Sequence, residues 1–235
     1  MSGHSKWSTI KRAKEAKDAK RSNLFTKLSK NITVAARGNP DPDTNFKLRM
    51  AIDKAKGMSM PKDNIERAVK KAAGVSGEGA IDSLLYEAYG PEGVAIIIDV
   101  LTDNKNRTVA NIKHIMSKCG GNLGNSGSVL WMFDMKGEII LDNQKLSDEQ
   151  ELEIIEAGAE DIIVEGEHIR IITDKDNLVA VRDKVQKLDV HADSADMIYL
   201  AKEKISITDD ERLLKLLDVL DDDDDVNNVY TNAEI

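Results

Sequence analysis

The sequence predicts an α+β chain of several domains. An N-terminal three-helix domain is followed by two ferredoxin-like α/β plait domains, the second inserted in the first. Three observations carry this expectation. Up to Ala72 the apolar residues recur at helical spacing, with no run that reads as a strand. Beyond residue 80 the period changes, and short β-branched runs alternate with amphipathic helices. Within that region, Gly137 to Ala201 spells a complete βαββαβ set. The elements before it spell β-β-α-β and those after it α-β, so each half lacks what the other supplies. The expected domains are therefore 1–75, 80–134 plus 205–235, and 135–204.

Residues 9 to about 36 read as one helix whose later turns carry an apolar face of Leu24, Phe25, Leu28 and Ile32. Gly38-Asn39-Pro40-Asp41-Pro42 ends it. Leu48, Ala51, Ile52 and Ala55 mark a second helix ending at Gly57. Pro61 opens a third, with Ile65, Ala68, Val69 and Ala72 inward and Lys62, Arg67, Lys70 and Lys71 on the polar side. Val94 to Leu101 is a buried strand, and Asp103 or Asn104 caps a helix with Val109, Ile112, Ile115 or Met116, and Cys119 inward. Val129 to Phe133 reads as the next strand. In the inserted set, Ser147-Asp148-Glu149-Gln150 is a capping box, and Glu165-Gly166-Glu167 is a hairpin turn. Leu178, Val181, Val185 and Leu188 line a second helix. After residue 205, Thr208-Asp209-Asp210-Glu211 reads as another capping box before a Leu-rich helix. Asp221 to Asp225 reads as a solvated acidic turn, and Val226 to Tyr230 as the last strand.

Charge is segregated along the chain. The first 75 residues hold 18 Lys or Arg against 7 Asp or Glu, a net of +11. The remaining residues hold 15 against 35, a net of −20. Only the first third is electrostatically suited to a polyanion. Its basic arm contains Lys6, Lys11, Arg12, Lys14, Lys17, Lys20 and Arg21, which suit phosphates. His4 and Trp7 are flat groups suited to stacking on an unpaired base. The competing reading is a solvated helix kept soluble by its lysines. Asn104, Asn106 and Arg107 lie at a helix start and form a secondary phosphate-contact candidate, with plain capping as the alternative.

Other chemistry finds little support. The four histidines lie in separate segments with no metal-ligand spacing. Cys119, the single cysteine, sits on an apolar face and fits a reducing cytoplasm. The Gly120 to Gly127 stretch follows a helix rather than preceding one, unlike a phosphate loop, and reads as a flexible loop suited to partner contact. No run approaches a membrane span, and the charged start lacks the apolar core of a signal peptide. The expectations are no catalytic residues, no metal, no cofactor, no small-molecule substrate, no membrane contact and a cytoplasmic location.

Ser2-Gly3-His4-Ser5-Lys6-Trp7, Asp18-Ala19-Lys20-Arg21 and Phe25-Thr26-Lys27-Leu28 resemble the start of the YebC family. Tyr86-Glu87-Ala88-Tyr89-Gly90-Pro91, Asp103 to Thr108, Ser117 to Gly124 and Val229-Tyr230-Thr231-Asn232 extend the resemblance over nearly the whole chain. It implies a probable DNA-binding transcriptional regulator with a helical domain, two α/β domains and no enzymatic chemistry. For other members it implies translation control on the ribosome, with rRNA or tRNA contact and help at difficult peptide bonds such as proline runs. A mitochondrial relative that activates translation of cytochrome c oxidase subunit one belongs to the same group. A third reading, in which the acidic body is a protein-interaction scaffold, stands apart from both.

Overall fold

The computed structural model describes residues 18–72 and 80–234, with side chains from residue 22 onward. The described chain divides into two compact units, Met1–Phe133 with Ala201–Ile235, and Asp134–Leu200. The architecture is the expected one, a helical N-terminal region followed by two antiparallel sheets with their helices.

In the first unit, α1 (Asp18–Ala35), α2 (Phe46–Gly57) and α3 (Lys62–Ala72) bury Leu28, Ile32, Leu48, Ala55, Ile65 and Ala68 against one another. Asn45 caps α2, its side chain accepting from the backbone N–H of Leu48 at 3.1 Å. The sheet of this unit runs in the order β3-β1-β2-β9, formed by Asn122–Leu123, Asp82–Tyr89, Ala95–Thr102 and Val226–Thr231. Its neighbours are all antiparallel. Ile96, Ile98 and Val100 of β2 pack under α4 (Lys105–Lys118) and α7 (Asp210–Asp221), which contribute Ile112, Met116, Leu213, Leu216, Leu217 and Leu220. Alternation sends Ile97 and Asp99 to the other face. Both faces of the strand are covered, which is why its sequence is a continuous apolar run. A short parallel pair, β8 (Ile205–Ser206) with β10 (Ala233–Glu234), ties the returning chain to the C-terminus.

Three details depart from the sequence reading. Val129 to Phe133 is not one strand: Leu130–Met132 is a 3-10 turn, and the third strand of this sheet is Asn122–Leu123, inside the glycine-rich stretch. The buried Glu87 carboxylate causes this by accepting the backbone N–H groups of Gly127, Val129 (2.7 Å) and Leu130 (2.8 Å), which turns them away from any ladder. Burial opposes the charge on Glu87, but those N–H donors outweigh it and hold its pKa below the ordinary value. Gly121 permits the close approach that brings β3 to β1, since a Cβ there would lie 2.6 Å from the carbonyl oxygen of Tyr89. Secondly, α7 is capped by Asp209, not Thr208. Thr208 is drawn instead to Glu92, whose carboxylate accepts its hydroxyl and the backbone N–H groups of Thr208 and Asp209.

Thirdly, Asp221 to Asp225 is solvated only in part, with Asp222 and Asp224 exposed and Asp225 buried. Lys27 and Lys30 of α1 reach into it, with Lys30 Nζ 2.8 Å from the carbonyl oxygen of Asp224 and 2.6 Å from the Asp225 carboxylate. Asn23 donates to the carbonyl oxygen of Asp222 at 2.7 Å. Further along α1, Asn31 donates to Asn227, which donates to Asp99. Asp225 is 6% exposed and also receives Arg107 (2.9 Å), Thr108 (2.7 Å) and Thr102 (3.2 Å). Desolvation pushes its pKa up. The hydrogen bonds from Lys30, Arg107 and Thr108, with the Lys30 charge, outweigh that and hold it at about 2.

The second unit is a βαββαβ plait. Its strands are β4 (Phe133–Asp142), β5 (Ala159–Glu165), β6 (His168–Asp174) and β7 (Ser194–Ala201), in the order β5-β6-β4-β7. The helices are α5 (Asp148–Glu156), opened by the Ser147–Gln150 capping box, and α6 (Leu178–Lys187). Ile154 is the buried residue of α5, while Leu152 and Ile155 stand exposed. Inside the sheet, Arg170 is 6% exposed and bonds the Glu138 carboxylate at 2.7 Å.

Two outcomes follow from this packing. A chain truncated before Thr208 loses α7 and β9, and with them four fully buried leucines. Urea unfolding of it is expected to lack a cooperative transition for the first unit, while Asp134–Leu200 keeps its own; an unchanged transition for the first unit would contradict this. Asp225→Asn is expected to lower stability at pH 7 by about 2 kcal/mol. The folded-state pKa is depressed, so the charged form stabilises above the ordinary value of 3.8 and that contribution is lost as pH falls toward about 2. The gap between wild type and variant, followed by urea titration at stepped pH, should therefore close between pH 4 and pH 2.

Candidate nucleic-acid interface

On α1, Ser22, Thr26, Ser29 and Thr33 fall at i, i+4, i+7 and i+11, a single stripe along the helix. On α3, Asn64, Arg67 and Lys71 fall at i, i+3 and i+7. The two stripes face each other across a groove of about 380 Å³, with Phe25, Met60 and Ile81 also in its lining. At its base the Thr33 hydroxyl lies between the carbonyl oxygens of Ser29 (2.8 Å) on α1 and Ala68 (3.1 Å) on α3. Hydroxyl oxygens line one wall and an amide and two cations line the other. The hydroxyls of Thr26 and Thr33 donate to backbone carbonyl oxygens, so the Asn64 amide and the two cations are the groups of this set suited to phosphate oxygens, and the set carries no base-reading pattern.

Arg67 is exposed and makes a long 3.4 Å contact with Asn64. Lys30 also borders the groove but points its ammonium at Asp225. Asp103, the acid at the rim, is bonded by Arg107 at 2.9 Å. Asp103, the one rim carboxylate among the described residues, is thus answered by a neighbouring guanidinium.

The secondary candidates fall beside this rim. Asn104 is the N-cap of α4, its side-chain oxygen accepting from the backbone N–H of Arg107 at 3.1 Å. Asn106 is exposed in the first turn of α4. Arg107 is engaged by two carboxylates, Asp103 and Asp225, which together raise its pKa, Asp225 foremost. Asn104 and Arg107 are therefore brought together, in an arrangement that is already hydrogen-bonded within the fold.

His4, Lys6, Trp7, Lys11, Arg12, Lys14 and Lys17 lie outside the described residues, as do the side chains of Lys20 and Arg21. The backbone of Lys20 and Arg21 is in the first turns of α1, so the helix that carries the hydroxyl stripe continues the basic segment. The hydroxyl wall escapes a sequence reading because the apolar face alone is what marks α1 as a packed helix. The signal is present in the spacing of Ser22, Thr26, Ser29 and Thr33, but nothing in the sequence says that α3 lies opposite.

Among the described residues no three His, Cys, Asp or Glu side chains gather as a metal site, and no helix is long and apolar enough to cross a membrane. His168 sits 2.7 Å from the Asp142 carboxylate in the second unit, and His114 is exposed on α4.

Comparison with known proteins places the whole chain. Residues 5–75 match the TACO1/YebC protein N-terminal domain, and residues 81–233 match the TACO1/YebC second and third domain. A probable transcriptional regulatory protein of Geotalea uraniireducens is 48% identical over 238 residues, covering 100% of this chain and 96% of the relative. One from Thermoanaerobacter pseudethanolicus is 48% identical over 240 residues, covering 100% and 98%. The crystal structure of a conserved hypothetical protein from Aquifex aeolicus superimposes with a TM-score of 0.86 at 41% identity, covering 93% of this chain and 92% of that one. With residues 5–75 and 81–233 matched by the family's domains and relatives this similar over full length, the chain belongs to the TACO1/YebC family.

Proposed function

We propose that this chain is a nucleic-acid-binding regulator of gene expression and that its N-terminal domain grips the polyanion. The observation that carries the reading is the α1–α3 groove, a wall of hydroxyls facing Asn64, Arg67 and Lys71 on the one domain with net positive charge. Phosphate contacts of this kind position a protein on nucleic acid without reading sequence. The basic arm, with Lys6, Lys11, Arg12, Lys14, Lys17, Lys20 and Arg21, extends the same charge, and His4 and Trp7 supply stacking groups. The acidic remainder, at −20, repels the polyanion and orients the molecule on it.

The names borne by the relatives, probable transcriptional regulatory proteins, support transcriptional regulation as the first form of this function, with DNA as the polymer it would act on. Translation control on the ribosome is the second, favoured by one observation. The polar side of α3 carries Lys62, Asn64, Arg67, Lys70 and Lys71, a set suited to phosphates more than to bidentate base readout in a major groove. Stacking groups on an arm suit irregular or single-stranded RNA. A scaffold for basic proteins, using the acidic body, is the outcome left if neither nucleic acid is bound.

Two experiments test this. Replacing Arg67 and Lys71 with Ala is expected to weaken binding to all sequences alike. The slope of log K against log salt should flatten by about 0.7 to 0.9 for each phosphate that is no longer neutralised. An unchanged slope would remove the groove from the interface. Protein recovered from growing cells and treated with RNase or DNase decides the polymer. Ribosomal particles lost on RNase treatment identify RNA, promoter fragments lost on DNase treatment identify DNA, and neither identifies the scaffold.

A further inference from the structure

We propose that Trp131 is a second, separate contact for nucleic acid, a rigid platform on which one unpaired base stacks. The indole is 64% exposed, which is costly for so large an apolar group unless something covers it. It is not a loosely attached side chain. Its Nε1 donates to the carbonyl oxygen of Ser128 at 3.0 Å, and the Tyr89 hydroxyl donates to that same oxygen at 2.9 Å. The backbone beneath it is fixed from both directions. Glu87 holds the N–H groups of Val129 and Leu130 just before the ring. Lys202 follows, its Nζ 2.9 Å from the Trp131 carbonyl oxygen and its backbone N–H 2.9 Å from that of Met132. A buried carboxylate and a lysine are thus arranged around a displayed ring.

The surroundings indicate the occupant. With Nε1 already bonded, the ring offers its faces and no directional donor, which suits stacking. The rim before it is polar and small, with Asn125, Ser126 and Gly127 exposed. Among the described residues of its unit the other exposed large apolar side chains are Met58, after α2, and Val219, on α7. A stable protein interface needs roughly 800 Å² on each partner, with a contiguous apolar centre. One ring in a polar rim matches a single stacked base. The inference rests on the nucleic-acid reading above but uses a different face and a different interaction.

The full chain carries two tryptophans, so Trp7→Phe leaves Trp131 as the one fluorophore of its kind. That protein is titrated with 12-nucleotide oligo(rA), oligo(dA) and a blunt duplex, each carrying a terminal dye, so that anisotropy reports binding and indole emission reports stacking. Quenching by one or both single strands, and not by the duplex, is expected; the two strands distinguish RNA from DNA. Adding Trp131→Ala should weaken single-strand binding about tenfold, the order of one stacked base, with Trp131→Phe restoring most of it. If the alanine variant melts lower, the phenylalanine variant and the quenching decide. Binding without quenching overturns the platform and leaves the groove reading standing. No binding of any probe by the unsubstituted chain, read by anisotropy, overturns both. Self-association in sedimentation that Trp131→Ala abolishes, without quenching, gives the ring to a second copy and overturns the proposal.

Discussion

A single carboxylate, that of Asp225, receives Lys30 from the helical domain, Arg107 and Thr108 from α4, and Thr102 from the end of β2. Together with Asp225 itself, these groups come from four parts of the chain, and Lys30 and Asp225 are 195 residues apart. A buried charge in this position is stable only while its partners stay in place, because removing one leaves an uncompensated ion. The constraint therefore works in both directions. Asp225 orders α1 against the sheet, and α1 supplies the ammonium that lets Asp225 remain ionised.

The placement of α1 determines what the N-terminal domain can present. Lys27 and Lys30 face inward to the acidic turn, so their charge serves the fold. The same orientation turns the hydroxyl stripe toward α3 and forms the groove beside Arg67 and Lys71. Positive charge in a basic domain is thus divided between holding the domain down and meeting a partner. The net charge of the domain counts all its lysines alike, whereas the geometry assigns Lys27 and Lys30 to Asp221 to Asp225.

A second buried carboxylate repeats the logic on a smaller scale. Glu87 lies in β1 between apolar neighbours and collects backbone N–H groups from the loop that precedes Trp131. Without those donors it would be an unpaired buried acid; without it the loop would lack its hydrogen bonds. Glycine at 121 lets the loop come close enough for this to happen. The stretch that reads as a flexible glycine-rich loop is therefore fixed in place, and it sets the position of the ring.

Much of the architecture was determined locally. The apolar faces of α1, α2 and α3, the capping box at Ser147, the hairpin at Gly166 and the period-two and period-3.6 patterns depend on neighbours within about a dozen residues, so the sequence carries them in full. The missing α-β pair, and hence the inserted plait, could also be read, because a sheet with an open edge demands its remaining elements. What the tertiary structure decided are the contacts of polar groups across long separations. Whether Asp225 is solvated or buried, whether Thr208 or Asp209 caps α7, and whether Ser29 faces water or Arg67 turn on which residues arrive from elsewhere in the chain. Charged and hydroxyl side chains have no periodicity that separates an inward partner from an outward one, since their energy depends on the partner they meet; apolar ones do, because exclusion from water acts on each of them alone.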